Sequence, residues 1–345
     1  LAARAVRRRE IVRTAIADLV GLADLAAVGQ GLSDAAVAAL DGTLRAASSA
    51  VAERFAGTLP TRLLVVGMGR LGGNELGYGS DADVVFAHEP NPGADEKQAH
   101  DAAMAVVSEL RRMLIMPGPE PALDVDADLR PEGRNGPLVR SLDSFAEYYQ
   151  RWSSTWEAQA LTRAVPVAGD DDLVARFTAL IDPLRWPAGG LPETAVREIR
   201  RIKARVEAER LPRGADPHRH LKLGRGGLSD VEWTVQLLQL QHAHAVPALR
   251  TTSTTGGLAA AGESGLLDPA DVDVLLAAWT LAARVRNATV LWRGRPADAL
   301  PTNVRELDGV ARIVGYPPGS AGQLDEDYLR LTRRARSVVE RVFYG

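Results

Sequence analysis

The sequence of 345 residues contains no cysteine, few aromatic residues and only three lysines among its 41 basic residues. Without cysteine it offers no disulfide, no thiolate zinc site and no cysteine nucleophile, which fits a reducing, cytoplasmic setting. No apolar stretch approaches the length of a membrane span, and the start shows no signal-peptide pattern. The net charge of −3 gives no overall attraction to nucleic acid or anionic lipid. We therefore expect a globular protein that binds neither nucleic acid nor membrane.

The pattern of apolar residues predicts an α/β part followed by an all-α part. Residues 1–58 have helical spacing and form a helical lead-in. Residues 59–170 alternate strands and helices, and a Pro- and Gly-rich boundary falls in 165–192. Residues 190–345 read as a helical bundle. The predicted strands are 61–68, 81–88 and 122–129, and the predicted helices are 97–114, 141–161, 193–211, 228–244, 268–292 and 324–343.

Residues 63–88, LLVVGMGRLGGNELGYGSDADVVFAH, carry two possible nucleotide-binding signatures. Gly67, Gly69 and Gly72 spell G-x-G-x-x-G after an apolar run, as in a dinucleotide-binding turn. Such a turn must open a crossover helix and return to a parallel strand with an acid at its far end. The stretch NELGYGS is too short for that helix, and the acids stand at the start of the next strand. The dinucleotide interpretation therefore fails.

The second signature is a pair of carboxylates. Asp81 and Asp83 are two residues apart on a strand and so project to the same side. Carboxylates held in this way bind Mg²⁺, and the glycine-rich turn before them suits a triphosphate. A third acid on a neighbouring strand would complete a two-metal site, with the ions ~3.5–4 Å apart. Asp126 is a candidate, but Asp124 and Asp128 share its strand face, so spacing leaves the choice open.

Several stretches together resemble one family. GMGRLGGNELGYGSDADVVF, VDADLRPEGRNGPLVRS, KLGRGGLSDVEWTVQLLQLQHA and ALRTTST occur in order over roughly residues 60–255. They resemble segments of the bacterial bifunctional glutamine synthetase adenylyltransferase/adenylyl-removing enzymes, in an actinobacterial-like, Ala- and Arg-rich version. The resemblance implies a nucleotidyltransferase domain of the polymerase beta type, with a mixed sheet, followed by a helical bundle. We take it to cover the whole chain.

The resemblance also assigns site residues. It matches Asp81 and Asp83 to the metal-binding pair and Asp126 to the third carboxylate, with two Mg²⁺ ions as cofactors and ATP as substrate. Asp128 departs from the pattern, because many relatives have Arg there, so Arg130 or Arg134 would have to contact the phosphate instead. The residues expected around the triphosphate are Gly72, Gly73, Ser80 and Arg130, joined by Lys222 and Arg225 from the second domain.

The segment ELGYGSD resembles the C-terminal, adenylylating half of these enzymes, whereas the N-terminal half tends to read E-L-N-[FY]-S-S-D. The start at Leu and the length suit an excised C-terminal half. The implied reaction moves AMP from ATP to a tyrosine of glutamine synthetase, with a PII-type protein and glutamine as effectors. Two alternatives remain open: phosphorolytic removal of AMP, and a regulatory nucleotide-sensing module.

Other polar and aromatic groups have simpler interpretations. The His pairs of 218–220 and 242–244 read as surface residues, and the aromatic residues of 145–156 as helix packing. Asp230 and Glu232 are expected to complement a helix dipole in its first turn. Glu75 either positions the glycine turn or lies at the surface.

Overall fold

A computed structural model describes residues 2–152 and 154–345, so predictions that include Leu1 and Ser153 fall in part outside the described residues. The chain divides into two units. The first contains most of the N-terminal helix, Ala26–Leu76 and Asp81–Arg185. The second contains Trp186–Gly345 and two short pieces from earlier in the chain, Asp18–Leu25 and Gly77–Ser80.

The first unit is built on a mixed five-stranded sheet. The strands are β1 (Thr61–Gly67), β2 (Ala82–Pro90), β3 (Val125–Asp126), β4 (Val139–Ser141) and β5 (Val165–Gly169). Their order in the sheet is β3-β2-β1-β5, with β4 also paired to β2. β1 runs antiparallel to β2 and β5, whereas β2 runs parallel to β3 and β4. The predicted mixed sheet is confirmed, and the antiparallel pairing of β1 and β2 rules out a dinucleotide-binding crossover between them.

The central strands form because β1 and β2 are nearly continuous apolar runs, as expected for strands covered on both faces. A parallel return from β2 to β3 needs a long crossover, and helix α4 provides it. The side chain of Asp95 caps α4 by accepting the N–H of Gln98 at 2.8 Å. The helices of the first unit are α1 (Ala2–Leu19, shared with the second unit), α2 (Leu25–Ala52), α3 (Gly69–Gly72), α4 (Glu96–Ile115), α5 (Leu142–Arg151), α6 (Thr155–Leu161) and α7 (Asp171–Arg185).

The stretch after β4 differs from the sequence prediction. The helix expected over 141–161 is two helices, α5 and α6. Phe145 and Tyr149 are buried as predicted, but Trp152 is 73% exposed, so the aromatic residues do not all pack in the core. Residues 165–185, the first part of the range 165–192 in which the boundary was predicted, form β5 and α7, and the division between the two units falls after Arg185.

The second unit is a helical bundle, as predicted, with two helices that the apolar pattern missed. One of them, α10, contains Gly256, Gly257 and Gly262, which lower its helix propensity. Its start is fixed by the Ser253 side chain, which accepts the Gly256 N–H at 3.1 Å. The helices are α8 (Glu193–Glu209), α9 (Leu228–His242), α10 (Thr254–Glu263), α11 (Pro269–Arg293), α12 (Val304–Val314) and α13 (Ala321–Val339).

Helix α11 corrects the expectation that no stretch approaches a membrane span. It has 25 residues, and its most apolar window has a mean hydropathy of 1.2, enough by length and composition alone. Half of that window is buried within the protein. Since α11 packs against α9, α10, α12 and α13, its apolar character is that of a central core helix.

Three helices of the second unit meet at a buried ionic cluster. Lys203 of α8 and Asp230 of α9 are each only 1% exposed, with Nζ and Oδ1 2.6 Å apart. The other oxygen of Asp230 accepts the Gly226 N–H at 2.7 Å and pairs with Arg336 of α13 at 3.1 Å. Asp230 therefore ties together three helices and a turn, a larger role than the predicted complement to the helix dipole.

Replacing Asp230 by alanine should lower the free energy of unfolding by about 3 kcal/mol, because Lys203 would lose a buried counter-charge. This is the low end of the usual range, since Glu207 still pairs with Lys203 at 2.8 Å. Urea denaturation followed by circular dichroism measures the change. The control is Asp101→Ala, which removes a solvent-exposed ion pair with Lys97 and should have no measurable effect. Equal stability of both variants would contradict a structural role for the cluster.

Candidate metal and nucleotide site

Three carboxylates of the first unit converge at one end of the sheet. Ligand oxygens of Asp81, Asp83 and Asp126 all lie within 4.8 Å of one another. Asp81 immediately precedes β2 and is exposed, whereas Asp83 and Asp126 are partly buried. Within residues 2–152 and 154–345 this is the one group of three or more His, Cys, Asp or Glu side chains close enough to hold a metal ion.

The convergence follows from strand geometry. Asp81 and Asp83 are two residues apart and project to the same side, as the sequence predicts. The parallel register then sets Asp83 opposite Asp126. The Ala82 N–H, which lies between the first two carboxylates, donates to the carbonyl of Asp124 at 2.8 Å and so fixes this register.

The structure also separates Asp126 from the two acids that share its strand face. Oδ1 of Asp126 accepts the backbone N–H of Asp128 at 2.7 Å, which limits the rotation of the carboxylate. The Asp128 side chain pairs with Arg134 at 2.5 Å, and Asp124 is exposed outside the cluster. Spacing alone left this choice open, and the fold resolves it.

The glycine turn before β2 lies against one of these carboxylates. Gly69 has a φ of +51°, in the left-handed region that favours glycine. A Cβ at Gly69 would overlap Oδ2 of Asp83. The Met68 N–H also donates to the backbone carbonyl of Asp83 at 2.8 Å. Glycine is therefore required here because the turn and the Asp83 side chain are in close contact.

Gly72 and Gly73, predicted to surround the triphosphate, have their N–H groups engaged within the turn. They donate to the carbonyls of Met68 at 2.9 Å and Gly69 at 3.1 Å. A Cβ at Gly72 would overlap the carbonyl oxygen of Arg163, and one at Gly73 would overlap its guanidinium. Close packing against Arg163 thus explains both glycines.

Arg163 is the residue of this region that the sequence prediction missed. Its side chain is 6% exposed, its Nε donates to the Gly69 carbonyl at 3.0 Å, and its Nη2 pairs with Glu75, which is 9% exposed. Glu75 is therefore a buried partner of the turn and not a surface residue. The only sequence signal was a basic residue directly before the apolar start of β5.

Arg130 braces the loop that follows β3. Its guanidinium donates to the carbonyls of Ala127 at 2.8 Å, Arg134 at 3.0 Å and Gly136 at 3.0 Å. Arg134 is largely exposed and forms the ion pair with Asp128. The role predicted for Arg130 in binding the triphosphate stays a prediction.

Ser80 lies in the Gly77–Ser80 segment, which packs within the second unit. Its Oγ accepts the Gly77 N–H at 3.2 Å. The Tyr78 N–H donates to Oδ1 of Asn287 at 3.3 Å, and the Tyr78 hydroxyl donates to Asp18 at 3.1 Å. Burial, and then the charge of Asp18, raise the pKa of Tyr78, so the hydroxyl keeps the proton that it donates. These bonds hold the residues directly before Asp81.

Lys222 and Arg225 are exposed in the turn that leads into α9. Neither makes an ion pair with any residue that the structure describes. Gly226 in this turn has a φ of +71°, and a Cβ there would overlap the carbonyl oxygen of Thr332. Glycine is therefore explained here by backbone conformation and close packing. His220 is buried and accepts the Leu223 N–H at 3.0 Å, which corrects its assignment to the surface.

The carboxylate cluster fits the group that it is predicted to hold. All its donors are carboxylate oxygens, which Mg²⁺ prefers, and Mg²⁺ keeps its remaining positions for water and phosphate. The partial exposure of the three aspartates leaves such positions accessible. The residues therefore suit a divalent cation that also contacts a nucleotide phosphate.

Comparison with known proteins connects this geometry to a family. Residues 1–180 match the family model described as glutamate-ammonia ligase adenylyltransferase, and residues 200–343 match the one described as GlnD PII-uridylyltransferase. Similar proteins include the bifunctional glutamine synthetase adenylyltransferase/adenylyl-removing enzymes of Streptomyces avermitilis, Streptomyces coelicolor and Mycobacterium avium. They are 58%, 57% and 54% identical over 99%, 100% and 99% of this chain. The chain spans 35%, 35% and 34% of their lengths, about a third.

Replacing Gly72 by alanine should lower the free energy of unfolding by about 3 kcal/mol, because the new methyl group would overlap a backbone carbonyl that cannot easily move. The control is Gly118→Ala in the same unit, where a Cβ meets nothing within 4 Å. Denaturant unfolding of both variants gives the comparison. If Gly72→Ala were as stable as Gly118→Ala, the close packing against Arg163 would be wrong.

Proposed function

This chain belongs to the glutamate-ammonia ligase adenylyltransferase family, and we propose that it transfers AMP from ATP to a tyrosine hydroxyl of glutamine synthetase, releasing pyrophosphate. The observation that carries the proposal is the convergence of Asp81, Asp83 and Asp126 within 4.8 Å. The protein substrate comes from the names of the relatives, which are glutamine synthetase adenylyltransferases and adenylyl-removing enzymes.

The three carboxylates supply the electrostatics of the reaction. Asp81, Asp83 and Asp126 would hold two Mg²⁺ ions. When bound, such ions stabilise the charge on the attacking and leaving oxygens. The ordered β2–β3 pairing keeps the carboxylates in place before substrate arrives, so little reorganisation accompanies the reaction.

In the proposed step the tyrosine oxygen forms a bond to the α-phosphorus, and the bond from that phosphorus to the bridging oxygen breaks. The phenol has an ordinary pKa near ~10, so its proton must be accepted as the new bond forms. Asp126 is the proposed acceptor. One of its oxygens is occupied by the Asp128 N–H, which presents the carboxylate in a fixed orientation.

We propose the adenylylating direction, and the C-terminal half of the longer relatives, because of the ELGYGSD segment. In the structure Gly77, Tyr78 and Ser80 of this segment are hydrogen-bonded. The relatives' names also include removal of the adenylyl group, and the same carboxylates would serve phosphorolysis of the tyrosine–AMP bond. The direction is therefore the finer claim that the experiment must test.

The groups proposed around the triphosphate are those that the family resemblance implies. The proposed groups around the nucleotide are Gly72, Gly73, Ser80 and Arg130, and the exposed cations Lys222 and Arg225. Residues 200–343 match a family described as PII-uridylyltransferase, which supports a PII-type protein as an effector. Glutamine is proposed as a second effector from the family resemblance alone. We propose that the reaction takes place in the cytoplasm.

Asp126→Asn should abolish transfer of label from [α-³²P]ATP to unmodified glutamine synthetase in the presence of Mg²⁺. We expect a loss of more than about 100-fold, because a metal-binding and proton-accepting carboxylate becomes neutral. The matched control is Asp124→Asn, two residues away and outside the cluster, which should keep wild-type activity. Asp83→Asn should behave like Asp126→Asn.

A second part of the same assay tests whether the chain adds or removes the adenylyl group. Pre-adenylylated glutamine synthetase is incubated with inorganic phosphate and the wild-type chain. Phosphate-dependent release of ADP without forward labelling would overturn the adenylylating assignment. ATP binding without either activity would support a regulatory module, and equal activity of Asp124→Asn and Asp126→Asn would refute the assigned site.

A further inference from the structure

We propose that Arg163 is the positioning residue of the metal site: it holds the glycine turn against Asp83 and thereby sets the direction of that carboxylate. The proposal rests on the function proposed above, but its first measurement needs neither ATP nor glutamine synthetase. Arg163 lies between α6 and β5, about 80 residues along the chain from the carboxylate on which it acts.

Arg163 contacts the glycine turn on several sides. Its Nε donates to the carbonyl of Gly69 at 3.0 Å, and its guanidinium lies against the position where Gly73 lacks a side chain. Its own carbonyl oxygen fills the space that a Cβ at Gly72 would occupy. Arg163 thus contacts the turn at all three glycines, Gly69, Gly72 and Gly73.

The glycine turn also contacts Asp83. The left-handed Gly69 leaves no room for a Cβ beside Oδ2 of Asp83. The Met68 N–H holds the Asp83 backbone at 2.8 Å. A shift of Gly69 by a fraction of an ångström therefore changes the room left for the Asp83 carboxylate, although the β2–β3 register still sets the backbone of Asp83 opposite Asp126.

The buried ion pair of Arg163 is better explained by geometry than by stability. Arg163 and Glu75 form an ion pair with both side chains at least nine-tenths buried. Such pairs contribute little net stability compared with apolar residues of the same size, because both charges lose their hydration. Arg163 offers what an apolar residue cannot: a rigid fork that bonds a carbonyl and a carboxylate at once. Since Glu75 neutralises it, Arg163 itself is not a phosphate ligand in this proposal.

The test measures Mn²⁺ binding to the protein without nucleotide, by electron paramagnetic resonance of the free ion. Arg163→Lys keeps the charge but replaces the planar fork, whose Nε bonds Gly69 and whose Nη2 bonds Glu75, by a single nitrogen. It should weaken Mn²⁺ binding about tenfold, as for other residues that orient metal ligands. Glu75→Gln should weaken it in the same direction by a smaller factor. Gly69→Ala, which pushes directly on Asp83, should reproduce the effect without touching Arg163.

The matched control is Arg62→Lys at the opposite end of β1, where Arg62 pairs with Glu89 at 2.6 Å. It makes the same Arg→Lys change in a cross-strand ion pair of the same unit and should leave Mn²⁺ affinity unchanged. In the transfer assay, Arg163→Lys should require about tenfold more Mg²⁺ for half-maximal rate while KM for glutamine synthetase stays constant. A purely structural role would lower the folded fraction without shifting the metal requirement.

Wild-type Mn²⁺ affinity in folded Arg163→Lys and Glu75→Gln would overturn the proposal. If Arg163→Lys does not fold, Glu75→Gln alone decides. A loss of affinity in Arg62→Lys as large as in Arg163→Lys would also overturn it, since the effect would then be general. If the wild-type chain binds Mn²⁺ but transfers no AMP, the proposed function fails while the positioning role is still tested by the binding data.

Discussion

The candidate site depends on one constraint, the parallel pairing of β2 with the two-residue strand β3. This pairing sets Asp83 opposite Asp126, and no local sequence rule could do so because 43 residues separate them. Helix α4 makes the pairing possible by carrying the chain back across the sheet. Every chemical property proposed here, from cation binding to proton acceptance, follows from the carboxylates that this register brings together.

The sequence was most informative where a local rule decides the structure. Strand periodicity places Asp81 and Asp83 on one side, and the length of the segment after Gly73 excludes a dinucleotide crossover. Apolar runs predicted β1 and β2, and the three- and four-residue spacing of apolar residues predicted α4, α8, α9, α11 and α13. The family resemblance then selected Asp126, a choice that spacing left open, and the β2–β3 register brings Asp126 to Asp83. These features need only neighbours in the chain, or a known relative, to be predicted.

The features that the sequence did not predict depend on contacts between residues far apart in the chain. Arg163 matters because of its bonds to Gly69 and Glu75, roughly 90 residues earlier. His220 is buried although its neighbour His218 is exposed, and α10 forms despite three glycines because it packs in the bundle. Periodicity and propensity report on a residue and its own segment, so they cannot show which partner arrives from elsewhere.

The glycines of the motif show why a signature can be recognised correctly and explained incompletely. From the sequence, Gly72 and Gly73 were expected to offer backbone groups to a triphosphate. In the structure the N–H groups of both are already engaged, and Gly69, Gly72 and Gly73 all mark places where another group comes too close for a side chain. The nearby groups are the Asp83 carboxylate and Arg163. The glycine motif therefore fixes the position of the Asp83 carboxylate at least as much as it could offer a surface for phosphate, and this links the turn, the buried ion pair and the proposed chemistry.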